Sequence, residues 1–285
     1  MSDLSLLHQQ LAHWDAHGEI PMSSGQEHKV QENPYSVTLR RSSVKGGPQI
    51  VKAESMLEYD FYCVLDFDRR VEKYKEQPVV IPWRTPGGQY RRYTPDVLVK
   101  FRELGWLPGE HLRSTIFEVK PYQVLKDNWA KMRPKIRGVQ KSLEGTCVPF
   151  KIITEKQLRP TFVKNVKFLL NYDKKRIMVN DRLSPKSYER LGAVQSALHG
   201  NLKGLDYPHI VMTFNDPTTP RELMNYISKD PMVQAVHVPW LWHMMREGDV
   251  MADLIEPLTM DSEIWTRDAR HAPPKWTTKE YDWYR

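Results

Sequence analysis

The sequence predicts a mixed α/β domain followed by a mostly helical one. Three observations predict it. An apolar helix leads into strand-like runs that end at Phe101 and Lys120. A long basic helix then leads to a further apolar strand at Phe150–Ile153. Beyond residue 155, short helical periodicities replace the strands. The 285 residues suffice for one large domain or two small ones, and 40% hydrophobic with 27% charged residues is the balance of a globular chain with a core.

In chain order, residues 3–17 form the first predicted helix, with Leu4, Leu7, Leu11 and Trp14 on one stripe. Residues 21–50 read as a polar arm rich in Gly, Ser and Pro, with a short strand around Ser36–Leu39 and a basic cluster at Arg40, Arg41 and Lys45. An uninterrupted helix is expected over 53–69, carrying Met56, Leu57, Tyr59, Phe61, Leu65 and Phe67. Val79–Ile81 is extended, and Pro86-Gly87-Gly88 marks a turn. Tyr90–Phe101 reads as one strand alternating towards Val97, Val99 and Phe101. Thr115–Lys120 is the next strand. Gln123–Leu143 reads as a helix that Pro134 kinks or breaks.

After residue 155, helical periodicity recurs at 156–170, 184–199 and 219–229, where Thr219-Pro220 resembles a cap followed by Pro at the first helical position. A helix over 236–247, weakened at its start by Pro239, and a short strand within Gly248–Leu254 complete a winged-helix-like pattern. The expected domains are therefore 1–155, 156–264 and a tail at 265–285. In that tail Trp276, Tyr281, Trp283 and Tyr284 exceed what a polar segment can bury. Trp276 and Trp283 are thus candidate anchors for a partner's groove. Trp240 and Trp242 are expected in a core, and His237 and His243 lack zinc-helix spacing.

The formal net charge of +7 suits a phosphate-rich partner without identifying one. Cys63 and Cys147 stand far apart with no CxxC motif, which argues against a structural zinc site and fits a reducing cytoplasm. The first 20 residues do not form a secretory signal, and no apolar run approaches the ~20 residues of a membrane span.

Phosphodiester hydrolysis needs an activated water and neutralised phosphate charge, and divalent metals held by carboxylates supply both. Magnesium keeps several waters, so two or three carboxylates suffice. Thr94-Pro95-Asp96 sets one carboxylate on an extended segment. Glu118-Val119-Lys120 lies on the next strand, where alternation puts Glu118 and Lys120 on one face and Val119 in the core. Glu58, on the preceding helix, can serve the same face as an outer or direct ligand. The candidate catalytic set is Glu58, Asp96, Glu118 and Lys120. Glu58, Asp96 and Glu118 are its metal-holding members, and Lys120 polarises water or stabilises the transition state. Lys126, Lys131, Arg133, Lys135, Arg137 and Lys141 on the basic helix are candidate phosphate contacts, as are Arg40, Arg41 and Lys45. Asp60, Asp66 and Asp68 read as solvated or capping residues. Gln77 reads as either a turn-capping amide or a near-site residue.

Together these motifs resemble the TnsA family of transposon-end endonucleases. Ser55, Leu57, Glu58, Asp60 and Phe61 match its helix pattern. Phe67, Asp68, Val71, Gln77 and Pro78 match the stretch that follows. Tyr93-Thr94-Pro95-Asp96 and Val119-Lys120-Pro121 match its strands. The resemblance is close over residues 53–121. It implies a restriction-endonuclease-like PD-(D/E)xK fold, a mixed sheet flanked by helices. It also implies Mg2+, with Mn2+ substituting, and cleavage of the 5′ strands of double-stranded transposon ends. The partners it implies are a TnsB-like DDE transposase and a TnsC-like AAA+ regulator. Glu58, Asp96 and Lys120 match the family's catalytic positions, and Glu118 stands where some members carry Gln. Two other functions remain open on the residues alone: a free-standing restriction or repair nuclease, and a non-catalytic DNA-binding adaptor.

Overall fold

The computed structural model describes residues 3–21, 39–43, 45–47, 50–102, 112–173 and 218–266. The chain divides into two compact units at the Leu158/Arg159 boundary. The first contains α1 (Asp3–His17), β1 (Leu39–Ser42), β2 (Ile50–Ala53), α2 (Met56–Phe67), β3 (Val71–Glu76), β4 (Ile81–Arg84), β5 (Tyr90–Tyr93), β6 (Val97–Phe101), β7 (Thr115–Val119), α3 (Tyr122–Asp127), α4 (Trp129–Ser142), β8 (Phe150–Ile153) and α5 (Glu155–Leu158).

Its centre is a mixed four-stranded sheet in the order β3-β6-β7-β8, antiparallel except for the parallel β7–β8 pair. Parallel neighbours need a crossover, and α3 with α4 supplies it. Every residue of β7 is buried, so its two faces meet two different layers. Phe117 faces α2, edge-on to Phe61 at 5.4 Å between ring centroids. Ile116 and Leu98 face the other way, into a core shared with Leu7, Leu11 and Trp14 of α1, Val139 of α4 and Ile81 of β4. The first helix is thus part of the core behind the central sheet. Leu4, the fourth member of its predicted stripe, stays 42% exposed.

The structure corrects four expectations in this unit. Arg40 and Arg41 belong to a two-stranded hairpin, β1 paired with β2, rather than to a loop, and β2 occupies the start expected for the helix. Tyr90–Phe101 is two strands, not one. Tyr90–Tyr93 pairs with β4, Val97–Phe101 pairs with β3 and β7, and the chain changes sheets at Thr94-Pro95-Asp96. Pro95 has no N–H to continue a ladder, which explains the seam. The basic helix breaks at Asn128, and Pro134 lies inside α4. A proline there costs one i→i−4 bond, and α4 runs on through it. Finally, β3 lies where no strand was expected. In the turn of the β4–β5 hairpin, Gly88 takes φ +81°, a left-handed conformation easy only for glycine.

Helix α2 begins with reciprocal capping. The Glu58 N–H donates to Ser55 Oγ (3.2 Å), the Ser55 hydroxyl donates to Glu58 Oε1 (2.9 Å), and the Glu54 N–H donates to Glu58 Oε2 (2.9 Å). This is the Ser-x-x-Glu signature of a helix start. Ser55→Ala should cost about 1 kcal/mol of stability in a denaturant melt. A loss below ~0.3 kcal/mol would show that the cap does not hold the helix end.

In the second unit, α6 (Pro160–Leu169), α7 (Pro220–Ile227), α8 (Pro231–Glu247), β9 (Val250–Ala252) and β10 (Ile264–Thr266) are described. Thr219 caps α7 with Pro220 in the first turn, as expected, and Glu222 completes a capping box that was not. Residues 156–170 are interrupted at Arg159, whose φ of +51° ends α5 before Pro160 starts α6. Helix α8 begins five residues earlier than expected, at Pro231, capped by Asp230, and it contains Pro239. Strand β9 pairs antiparallel with β10. Trp242 is buried, and Phe168 of α6 meets it edge-on at 5.4 Å. Buried Asn165 donates to the carbonyls of Leu254 and Glu256 and accepts from the Leu258 N–H, so both its nitrogen and its oxygen are partnered. The expected helix at 184–199 and the tail with Trp276 and Trp283 lie outside the described residues. Among the described residues no helix is long and apolar enough to cross a membrane.

Candidate active site

Strands β6 and β7 pair Val97 with Phe117 and Leu98 with Ile116. One step further along the same register, Asp96 stands opposite Glu118, so the two carboxylates share a face. That face is the one turned to α4 and the β4–β5 hairpin, because Leu98 and Ile116 lie on it. Asp96 Oδ2 accepts the Val119 N–H at 2.6 Å, which ties the carboxylate to the end of β7. Its own carbonyl accepts the Gln77 N–H at 2.9 Å and the Tyr62 hydroxyl at 3.5 Å. Gln77 holds this position with φ +40°, a strained value for a side-chain-bearing residue, and its amide donates to Glu54. The alternative of a near-site residue for Gln77 is therefore the one its backbone supports.

Glu118 is 3% exposed. Burying a carboxylate that deeply requires partners, and it has three. Lys120 Nζ lies 3.3 Å and Lys135 Nζ 3.6 Å from Glu118 Oε1, and the Tyr93 hydroxyl donates to Oε2. Lys135 also sits over the Tyr93 ring, 4.2 Å from its centroid. Burial, then the Glu118 charge, push the Tyr93 hydroxyl well above its usual pKa, so it remains a donor. Asp96 is pushed up to about 7, by burial first and then by the Glu118 charge, with Lys120 and the Val119 N–H opposing. Burial alone pulls the Lys120 ammonium down, but Glu118, Asp96 and Glu58 outweigh it and raise it. The result is a pair of crowded carboxylates answered by two ammonium groups.

Glu58 stands apart from this pair. It contributes to the field at Asp96 and Lys120, but both its oxygens cap the start of α2. Among the described residues no three His, Cys, Asp or Glu side chains gather closely enough to hold a metal. Of the three expected metal-holding residues, then, Asp96 and Glu118 come together and Glu58 stays in the α2 cap. Asp66 accepts from Ser43 and Tyr74, and Asp68 pairs with Arg70 at 2.6 Å, so both have structural roles. His243 Nδ1 bonds the Tyr172 carbonyl and His237 Nδ1 the Val233 carbonyl, both helix-packing roles.

The candidate phosphate contacts separate into three groups. Lys126, Lys131 and Arg133 are exposed on α3 and α4, and Arg40 is exposed on β1; only the backbone of Arg41 is described. Lys45 donates to the carbonyls of Leu65 (3.1 Å) and Asp68 (2.6 Å), so its ammonium stabilises the C-terminal end of α2 instead of facing a groove. Lys135 is turned inward to Glu118. Sequence reasoning missed it, with Tyr93, as a member of the site. The crossover was the available signal: a helix between two parallel strands must lie across the sheet face that carries Glu118.

Residues 68–155 match the protein family described as TnsA-like endonuclease N terminal. The matched segment contains Tyr93, Asp96, Glu118, Lys120 and Lys135, and begins after Glu58. No curated protein matches the chain.

Proposed function

From a TnsA-like endonuclease N-terminal domain at residues 68–155, we propose that this chain is a magnesium-dependent endodeoxyribonuclease. It cuts the 5′ strands at double-stranded transposon ends, together with a DDE transposase and an AAA+ regulator. One observation carries the reading: Asp96 and Glu118 share a face at adjoining strand ends with Lys120 beside them.

The donor set fits a hard cation. It offers carboxylate oxygens without sulfur or imidazole, and burial, then the Glu118 charge, pushes the Asp96 carboxyl up to about 7. Asp96 and Glu118 would hold Mg2+, or Mn2+ in its place. When bound, the ion activates water and neutralises phosphate charge. Lys120 orients the attacking water and stabilises the negative charge that develops on the phosphoryl oxygens. Val119 fixes Asp96 through its N–H, and Tyr93 fixes Glu118. Glu58 adds negative field from the end of α2. Hydrolysis joins the water oxygen to phosphorus and breaks one P–O bond of the backbone.

Exposed Arg40, Lys126, Lys131 and Arg133, with Arg41, are proposed to follow the DNA backbone. The α7–α8 pair with the β9–β10 ribbon supports a winged-helix-like second domain. Trp276 and Trp283 are proposed as partner anchors.

Lys120→Ala should lower transposon-end cleavage by about 10²-fold or more, measured with Mg2+ and the transposition partners present. Excess chelator should abolish cleavage by the parent protein. Full cutting in chelator would remove the metal from the mechanism, and full cutting by the variant would remove Lys120.

A further inference from the structure

We infer that Lys135 is a counter-cation of Glu118 and moves to the scissile phosphate when a divalent cation binds there. This rests on the nuclease reading above.

The inference starts from one oxygen. Glu118 Oε1 is approached by Lys120 at 3.3 Å and by Lys135 at 3.6 Å. The Tyr93 hydroxyl occupies the other oxygen. Three contacts on a carboxylate with about four acceptor positions leave a metal ion little room while both ammonium groups stay. Lys120 leaves β7 two residues after Glu118, so it stays beside the acid whatever else binds. Lys135 is different. It reaches the acid from α4, on a long flexible stem whose side chain keeps 28% of its surface exposed. Its ammonium lies over the Tyr93 ring, a cation–π contact that shelters the charge without fixing a direction. A divalent ion at Glu118 repels that ammonium, and the nearest new anion is the phosphate the ion itself binds. One turn earlier on the same side of the helix, Lys131 is exposed and gives the backbone an approach to the same point.

The test exploits opposite signs. Mn2+ binding to the DNA-free full chain is titrated by calorimetry. Cleavage is then followed at saturating Mn2+ in single turnover with the partners present. For Lys135→Met, removal of the competing cation should tighten Mn2+ binding about fivefold, while cleavage falls about tenfold or more. Lys135→Arg should restore both towards the parent values. If Lys135→Met weakens Mn2+ binding and cleavage together, Lys135 merely supports Glu118 and the inference is overturned. Unchanged cleavage by Lys135→Met at saturating Mn2+ also overturns it. A parent protein that neither binds Mn2+ nor cuts DNA removes the nuclease reading itself, which is a different failure from either of these.

Discussion

Asp96→Asn should abolish cleavage by about 10³-fold or more and at the same time make the metal-free protein harder to unfold at pH 8. The two effects share a cause. Asp96 is crowded against Glu118 in a half-dry site, and its pKa stands at about 7 against an ordinary 3.8. Because the folded value is the higher one, the folded state holds the proton more tightly than the unfolded chain does. Below about pH 4 both states are protonated and nothing is lost. Between about pH 4 and 7 the folded state is progressively penalised, and above that the full penalty applies. Asparagine keeps the acceptor for the Val119 N–H and carries no charge, so the penalty disappears. Denaturant melts in chelator should find the variant more stable by about 2–4 kcal/mol at pH 8, with the gap closing towards pH 5. Added Mg2+ should raise the melting temperature of the parent and leave the variant unmoved. A variant less stable than the parent at pH 8 would mean that the two carboxylates are not in conflict.

Trp14→Ala should cost about 3–5 kcal/mol, enough to unfold much of the population of a marginal domain. Trp14 is 2% exposed and packs, with Leu7 and Leu11, into the same core as Leu98 and Ile116 on the sheet. Those two strands carry Asp96 and Glu118 at their ends, so loss of the helix undermines the site from below. Leu4→Ala on the same helix, at a position 42% exposed, should change stability by less than about 0.5 kcal/mol. Equal losses in the two variants would refute the docked position of α1.

The juxtaposition of Glu118 and Lys120 was legible in the residues because it is carried by short-range order. Glu118 and Lys120 share a face by alternation alone, and Val119 between them is buried as the pattern requires. Strands β6, β7 and β8 were legible for their apolar content. What stayed hidden depends on context. In β3 a register shift between Val71 and Lys73 puts its buried residues, Val71 and Tyr74, three positions apart. Three is a helical spacing, so the two-residue period of a strand never shows. The seam at Pro95 was invisible because the residues on both sides favour strands, and only pairing partners reveal that two sheets are involved. Glu58 read as a possible ligand because Ser-x-x-Glu serves equally as a catalytic pattern and a helix start. Lys135 looked like one more cation on a charged helix until the parallel β7–β8 pair turned that helix over the site.

No slack separates Lys120 from the helix that follows. The Lys120 N–H is fastened to the Ile153 carbonyl at 2.9 Å, Pro121 is already the first residue of the next turn, and the Tyr122 N–H is moored to the Glu155 carboxylate at 2.9 Å. A proline at the joint removes the freest torsion of a linker. The Lys120 backbone and the start of α3 are therefore fastened at neighbouring points, and a push on the outward side of α3, where Val124 is 45% exposed and Lys126 lies in solvent, has little chain in which to dissipate before it reaches the Lys120 backbone.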